Sequence, residues 1–181
     1  MRSLICVLDA TEEYSISKNI LLQAGFEVKS AVASHDVNIN YDIDLAAAPR
    51  EKVVELTREF DMFALLGGYK MYYHLLGKKP PLKTWRLDVD IEKLDMLTTE
   101  FYRGGKVIVA PLAVPAYMAK LGLLKGRDAT VYPTTELIKI LRENQVNFVN
   151  KPVVKSGNFI TIKNVETVGG KELLNIFRET T

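Results

Sequence analysis

The chain has 181 residues, of which 48% are hydrophobic and 25% are charged, a balance typical of a globular protein with one core. Its 24 basic and 22 acidic residues give a formal net charge of +2, which argues against nucleic acid or an acidic membrane surface as a partner. The single cysteine, Cys6, excludes an internal disulfide and a cysteine-based zinc site.

Apolar strands and amphipathic helices alternate along the chain. Strands are predicted at 3–10, 26–33, 61–68, 106–110 and 146–150, with a turn and a further strand within 123–133 and a hairpin over 152–162. Helices are predicted at 15–25, from 49 onward, and at 90–105, 114–122, 134–144 and 169–180. This alternation predicts an α/β protein whose mainly parallel sheet lies between helical layers, and we expect one domain over residues 1–181.

Three local predictions are more specific. Ser15 is expected to cap the first helix, because Ser and Thr side chains accept hydrogen bonds from the first helical amides. The alternating stretch 38–49 predicts a short strand or ribbon away from the central sheet. The stretch 77–88 holds a Pro80-Pro81 pair and the one tryptophan, and we interpret it as an inserted surface loop or flap.

The sequence predicts neither a membrane span nor a signal peptide, and neither a metal site nor a nucleotide cofactor. No apolar run approaches the roughly 18 residues of a membrane span, and the first apolar stretch leads into acidic residues, as in a cytoplasmic protein beginning with a strand. His35 and His74 are the two histidines and have no ligand-type spacing, so no metal is expected. The turn after the first strand carries Asp9, Glu12 and Glu13, whose charge would repel the phosphates of a flavin or nucleotide cofactor.

Four stretches spread over most of the chain resemble the ThiJ/PfpI family of the class I glutamine amidotransferase-like superfamily. They read LDATEEYS, DMFALLGG, VPAYMAKLGLLKGRDATVYP and VVKSGNFIT. The resemblance implies a flavodoxin-like three-layer α/β/α sandwich that assembles into dimers or larger oligomers. Members of that family include proteases, deglycases, glyoxalases and chaperones, and their chemistry uses a cysteine at a strand-to-helix elbow.

The same resemblance places an apolar residue at the nucleophile position. Aligning Pro115 with the family proline puts Leu112 at the cysteine and Ala113 at the histidine that follows it. Ser15 falls where the family has the glutamate that helps to set the thiolate, whereas the pair Gly67 and Gly68, whose amides help to form the oxyanion hole, is retained. Leucine carries no ionisable proton or lone pair, so the thiol mechanism requires a residue that this elbow lacks.

Cys6 does not replace the missing nucleophile, because the middle of the first strand is expected to be buried. The resemblance therefore leaves a pocket without an assigned catalytic residue. The residues expected to surround the pocket are Asp9, Glu12, Ser15, Gly67, Gly68, Tyr69, Leu112, Ala113 and Tyr132.

Two functions stay open from the sequence. The first is a binding or assembly module, a pseudoenzyme with a small-molecule pocket above Leu112. The second is a hydrolase or lyase that uses non-thiol groups in the same crevice, with Ser15, Tyr69, Glu12 and His74 as candidates. The segment 69–88 mixes aromatic residues with Lys70, Lys78, Lys79, Lys83 and Arg86, a composition more typical of a protein contact than of a nucleic-acid site in a nearly neutral chain.

Overall fold

The computed structural model describes residues 1–34, 36–82 and 87–181. Within those ranges the strands are β1 (Arg2–Val7), β2 (Glu27–Val32), β3 (Ile43–Asp44), β4 (Met62–Leu66), β5 (Val107–Pro111), β6 (Asp128–Ala129), β7 (Asn147–Phe148), β8 (Val153–Ser156) and β9 (Phe159–Ile162). The helices are α1 (Thr11–Gln23), α2 (Arg50–Glu59), α3 (Tyr69–Leu76), α4 (Ile91–Arg103), α5 (Val114–Lys120), α6 (Thr135–Glu143) and α7 (Gly170–Arg178).

The central sheet has the strand order β3-β2-β1-β4-β5-β9-β8, and β6 pairs with β7 separately. All neighbours in the central sheet are parallel except β8 and β9, which form the predicted antiparallel hairpin. The chain leaves β1 toward β2 on one side and later returns to β4 on the other side. The switch in direction therefore lies between β1 and β4, where open α/β sheets characteristically form a crevice at the carboxyl ends of their strands.

Alternate strand residues face two helical layers. Leu4 and Cys6 of β1 pack in a cluster with residues of α2 to α6, whereas Ile5 and Val7 pack with residues of α1 and α7. Because both faces of the strands are covered, β4 is buried along its whole length, as expected for a parallel sheet. The sandwich predicted from the alternation of elements is confirmed, with a flavodoxin-like arrangement of helices on both faces.

Two local predictions are wrong. The stretch 38–49 does not form a ribbon away from the sheet, because Ile43 pairs with Ala31 and makes β3 the edge strand beside β2. Ser15 is not a helix cap, because α1 begins four residues earlier and the Ser15 hydroxyl donates to the Thr11 carbonyl at 3.2 Å inside the helix. The cap position is taken by Ala10 without a side-chain hydrogen bond.

Part of the proposed insertion at 77–88 lies outside the described residues, which omit 83–86, including Trp85, Lys83 and Arg86. Its described ends contain neither helix nor strand after α3. No helix in the described ranges is both long and apolar enough to cross a membrane.

Candidate functional site

A sharp bend links β5 to α5, and its apex is Leu112. This residue has φ of 59°, in the left-handed region that non-glycine residues rarely adopt. Two backbone hydrogen bonds hold the bend, since the Leu112 amide donates to the Ile162 carbonyl at 3.1 Å and the Tyr132 amide donates to the Leu112 carbonyl at 2.9 Å. The elbow expected from the resemblance is therefore present as backbone geometry, with a partly exposed leucine at its apex.

A second left-handed residue lies at the end of the neighbouring part of the sheet. Ala10, which precedes α1, has φ of 55° and ψ of 50°. Left-handed alanine or leucine costs about 1–2 kcal/mol relative to the right-handed form. Of the three non-glycine residues with positive φ in the described ranges, Ala10 and Leu112 line one cavity and Gln145 does not. Such strain is found preferentially at functional sites.

The glycine pair after β4 is bound to Asp9. The Asp9 carboxylate accepts a hydrogen bond from the Gly68 amide at 2.6 Å and another from the Lys70 amide at 2.9 Å. Burial raises the pKa of Asp9, and these two hydrogen bonds oppose that increase. Gly67 is closely packed, because a Cβ there would lie 3.1 Å from Leu8 Cδ1 and 3.1 Å from Met71 Cβ, which is tighter than an ordinary van der Waals contact.

Lys70 lies two residues after the glycine pair and is buried, with 1% of its side chain exposed. Its ammonium donates to Ser34 Oγ at 3.0 Å and to Asp88 Oδ1 at 3.0 Å, and it also pairs with Asp36. Burial lowers the pKa of Lys70, but the hydrogen bonds to the two carboxylates outweigh burial and leave the pKa above its ordinary value. Lys70 is thus a buried structural cation and not part of a basic surface, which corrects its inclusion among the surface charges of segment 69–88.

The cavity above Leu112, named here the elbow cavity, has a volume of about 830 Å³. It lies at the carboxyl ends of β1, β4, β5 and β9, the position expected for a parallel sheet. The described residues that line it are Ala10, Thr11, Glu12, Glu13, Gly68, Tyr69, Tyr72, Tyr73, Leu112, Ala113, Tyr132, Thr134, Leu137, Asn164 and Glu166. Its size falls within the range of small-molecule sites.

Three glutamates contribute to one side of the elbow cavity. Glu13 is buried, and its Oε2 accepts a hydrogen bond from the Val165 amide at 3.0 Å, which ties α1 to the turn after β9. Burial raises the pKa of Glu13. A hydrogen bond with Glu12 raises the pKa of the exposed Glu166, so these two carboxyl groups from distant parts of the chain lie close together at the cavity.

Six of the residues expected around the pocket line the elbow cavity: Glu12, Gly68, Tyr69, Leu112, Ala113 and Tyr132. Asp9 and Gly67 lie behind its wall, where they shape the turn after β4. Ser15 lines a neighbouring cavity of about 640 Å³ that shares Thr11, Glu12 and Glu166 with the first. Ser15 and His74 are not brought together at the elbow cavity, and His74 is an exposed residue of α3.

Cys6 lies in the core, with none of its surface exposed. Burial raises the pKa of its thiol from 9.0 to about 12, so the thiolate that nucleophilic catalysis requires is not formed at neutral pH. No group of three or more His, Cys, Asp or Glu side chains is arranged to hold a metal ion within residues 1–34, 36–82 and 87–181.

Tyr72, Tyr73, Asn164 and Glu166 are among the lining residues that the sequence did not predict for the pocket. Tyr72 and Tyr73 belong to the stretch YKMYYHLL, whose mixture of aromatic and basic residues predicts a contact surface and not a pocket wall. Asn164 and Glu166 follow β9, whose carboxyl end lies beside that of β5 because the two strands are parallel. The strand order would have identified this turn, but the order is not readable from one sequence.

Comparison with known proteins gives a consistent assignment. The family model described as the DJ-1/PfpI family matches residues 1–169. Protein dj-1beta of Drosophila melanogaster is 29% identical over 180 residues, covering 88% of this chain and 84% of that protein. An uncharacterized protein of Methanocaldococcus jannaschii is 42% identical over 71 residues, which are 39% of this chain and only 35% of that protein.

Solved structures give the same fold. The crystal structure of Drosophila melanogaster DJ-1beta superposes with a TM-score of 0.72 at 26% identity, covering 99% of this chain and 90% of that chain. A ThiJ/PfpI domain protein from Brachyspira murdochii also gives a TM-score of 0.72, at 18% identity over 98% of this chain and 95% of that chain. Because the family model covers nearly the whole sequence, the chain belongs to the DJ-1/PfpI family.

Proposed function

We propose that this chain is a small-molecule-binding member of the DJ-1/PfpI family that does not use the family's cysteine chemistry. In this proposal residues 1–181 form one domain, and Leu112 takes the position at which the family carries its nucleophile. The observation that carries the proposal is the left-handed Leu112, with φ of 59°, at the base of a cavity of about 830 Å³. The elbow geometry is retained while its apex is a hydrocarbon.

The hydrogen bonding of Gly68 supports the same proposal. In the family the amides of the glycine pair help to stabilise an oxyanion. Here the Gly68 amide already donates to the Asp9 carboxylate at 2.6 Å. A charged acceptor at that distance makes a strong hydrogen bond, and it would have to be displaced before the amide could stabilise a transition state.

Of the four groups considered for a non-thiol hydrolase or lyase, Glu12 and Tyr69 line the elbow cavity, whereas Ser15 and His74 do not. The Ser15 hydroxyl donates to a carbonyl within α1, and His74 is exposed on α3. A serine nucleophile needs a base within hydrogen-bond reach, and the described residues at the elbow cavity include no histidine. We therefore place binding ahead of catalysis.

The proposal extends to assembly and location. We propose a cytoplasmic homo-oligomer, a dimer or a larger assembly, in which the elbow cavity binds its ligand. Sedimentation equilibrium would measure the assembly state, and a monomer at all concentrations would contradict the oligomer.

A turnover panel tests the catalytic part of the proposal. Wild-type protein, Cys6→Ser and Leu112→Ala would be assayed with dicarbonyl compounds, glycated amines and peptides. We expect background rates from all three, because neither side chain supplies a thiolate at the cavity. Turnover that Cys6→Ser abolishes would refute the proposal.

An introduced thiol tests the geometry at the elbow. We expect Leu112→Cys to be alkylated by iodoacetamide in the folded protein, because position 112 is partly exposed at the cavity. The wild-type protein, with Cys6 fully buried, serves as the matched control and should not react until it unfolds. An unreactive Leu112→Cys in the folded state would show that the elbow is closed to small molecules.

A further inference from the structure

The elbow cavity is lined by four aromatic rings. Tyr69, Tyr72 and Tyr73 belong to α3, and Tyr132 comes from the segment that precedes α6. The rings of Tyr72 and Tyr73 meet edge to face, with centroids 5.2 Å apart and an interplanar angle of 89°. Tyrosine faces carry negative electrostatic potential and attract cations, and clustered rings form the binding cages for ammonium groups.

The charged residues of the elbow cavity have one sign. Glu12, Glu13 and Glu166 line it, and none of the described lining residues is Lys, Arg or His. The nearest cation in sequence to the aromatic group is Lys70, which is buried and directed to Asp36 and Asp88, so two carboxylates offset its charge. An anionic ligand would therefore meet repulsion in the cavity, whereas a cation would be attracted.

The remaining surface indicates an organic cation and not a metal ion. Leu112, Ala113 and Leu137 supply an apolar part of the lining. Within the described part of the chain, no three carboxylate, histidine or cysteine ligands converge as a metal site. A volume of about 830 Å³ is also far larger than a single ion needs.

We propose that the elbow cavity binds an organic ammonium cation, with the charged nitrogen among the tyrosine rings and glutamates and the apolar body against Leu112 and Leu137. This inference rests on the proposed function, because it names the ligand class of the same cavity. Glu12 in α1 and Glu166 in the turn after β9 both line the cavity and bring carboxyl groups to it from two parts of the chain.

Three probes that share a phenyl ring test the inference on the full chain: benzyltrimethylammonium, benzyl alcohol and benzoate. Binding would be followed by calorimetry and by the methyl resonances of Leu112 and Leu137. We expect the cation to bind about tenfold or more tightly than the neutral probe, with benzoate the weakest, and to shift both leucine methyl signals.

Variants of Tyr132 and Glu166 measure separately what the aromatic ring, the phenol hydroxyl and the carboxylate contribute to the affinity for the cation. Tyr132 is 43% exposed, so its replacement is not expected to disturb the core. Tyr132→Phe should keep the affinity for the cation within about twofold, whereas Tyr132→Leu should weaken it about twofold to fivefold. Glu166→Gln should weaken the cation alone, while Glu51→Gln, an exposed carboxylate in α2, is the matched control and should have no effect.

The outcomes distinguish the two levels of the argument. Equal binding of the three probes, with the Leu112 and Leu137 signals shifting, would leave a binding cavity and refute the ammonium ligand. The ammonium ligand would also be refuted if Tyr132→Leu and Glu166→Gln left the cation affinity unchanged, or if the cation did not bind. The proposed function would fail separately, on turnover that depends on Cys6.

Discussion

Replacement of buried Lys70 by methionine gives a direct measure of what holds the turn after β4 in place. Methionine keeps most of the apolar stem and removes the ammonium, which contacts Ser34, Asp36 and Asp88. Removing one partner of a fully buried pair costs about 3–5 kcal/mol. Here the side chains of Asp36 and Asp88 are 38% and 22% exposed and can be rehydrated, so we expect a loss of about 2–3 kcal/mol.

The assay is urea denaturation at neutral pH, with the slope m checked to be unchanged between proteins. For m of about 2 kcal/mol/M, the expected loss lowers the midpoint by about 1–1.5 M. Lys125→Met, which removes an exposed lysine from a turn, is the matched control and should change stability by less than about 0.5 kcal/mol.

The pH dependence identifies the charge as the cause. Because the pKa of Lys70 is raised in the folded protein above its ordinary value of 10.5, its stabilising effect is fully present below pH 10.5 and is lost as the pH rises through the folded pKa. The difference between wild type and Lys70→Met should therefore be constant near neutral pH and should decrease above about pH 10.5. A loss below about 1 kcal/mol, or a difference that does not change at alkaline pH, would refute the reasoning.

Three further predictions concern the elbow and the core. Asp9→Ala should destabilise the protein by about 2–4 kcal/mol in urea denaturation, because the Gly68 and Lys70 amides lose their acceptor, and Asp9→Asn, which keeps one acceptor oxygen, should lose less; equal losses would contradict this. Cys6 should not react with a thiol reagent in the folded protein and should give one equivalent after unfolding; reaction in the folded state at the rate of a free thiol would contradict its burial. Leu112→Gly should be more stable than Leu112→Ala by about 1 kcal/mol, because glycine relieves the left-handed conformation; the reverse order would place the residue in ordinary backbone geometry.

Much of the fold was readable from local patterns. The buried strand at 61–68 is predicted by a continuous apolar run between turn residues, and the amphipathic helix at 90–105 by apolar residues at helical spacing. The cap of α6 is of the kind that threonine favours, since the Thr134 hydroxyl oxygen accepts a hydrogen bond from the Leu137 amide at 3.2 Å. The alternation over 38–49 predicts a short strand but not its partner, and β3 joins the sheet through only two residues that pair with β2.

Fewer residues of the candidate site than elements of the fold could be predicted from the sequence, and Ser15 and Glu166 show why. The preference of serine for helix caps predicts that Ser15 caps the first helix, but α1 begins at Thr11. The preceding residue, Ala10, has a left-handed conformation that is rare for alanine and therefore cannot be predicted from the residue type. Glu166 lies near Glu12 because the turn after β9 is bound to α1, where the Val165 amide donates to Glu13 Oε2 at 3.0 Å. Local patterns fix an element, whereas the pairing of distant turns depends on the strand order.

The retention of strain at Leu112 bears on what the elbow does without a thiol. A left-handed leucine costs about 1–2 kcal/mol, and the two backbone hydrogen bonds of Leu112 offset that cost. The bend orients more than its own side chain, since its amide and carbonyl bind Ile162 and Tyr132 and so fix the two segments that bring Asn164 and Tyr132 to the cavity. In the proposed function the elbow therefore supports the binding surface through its backbone geometry, and not through the chemistry of its apex.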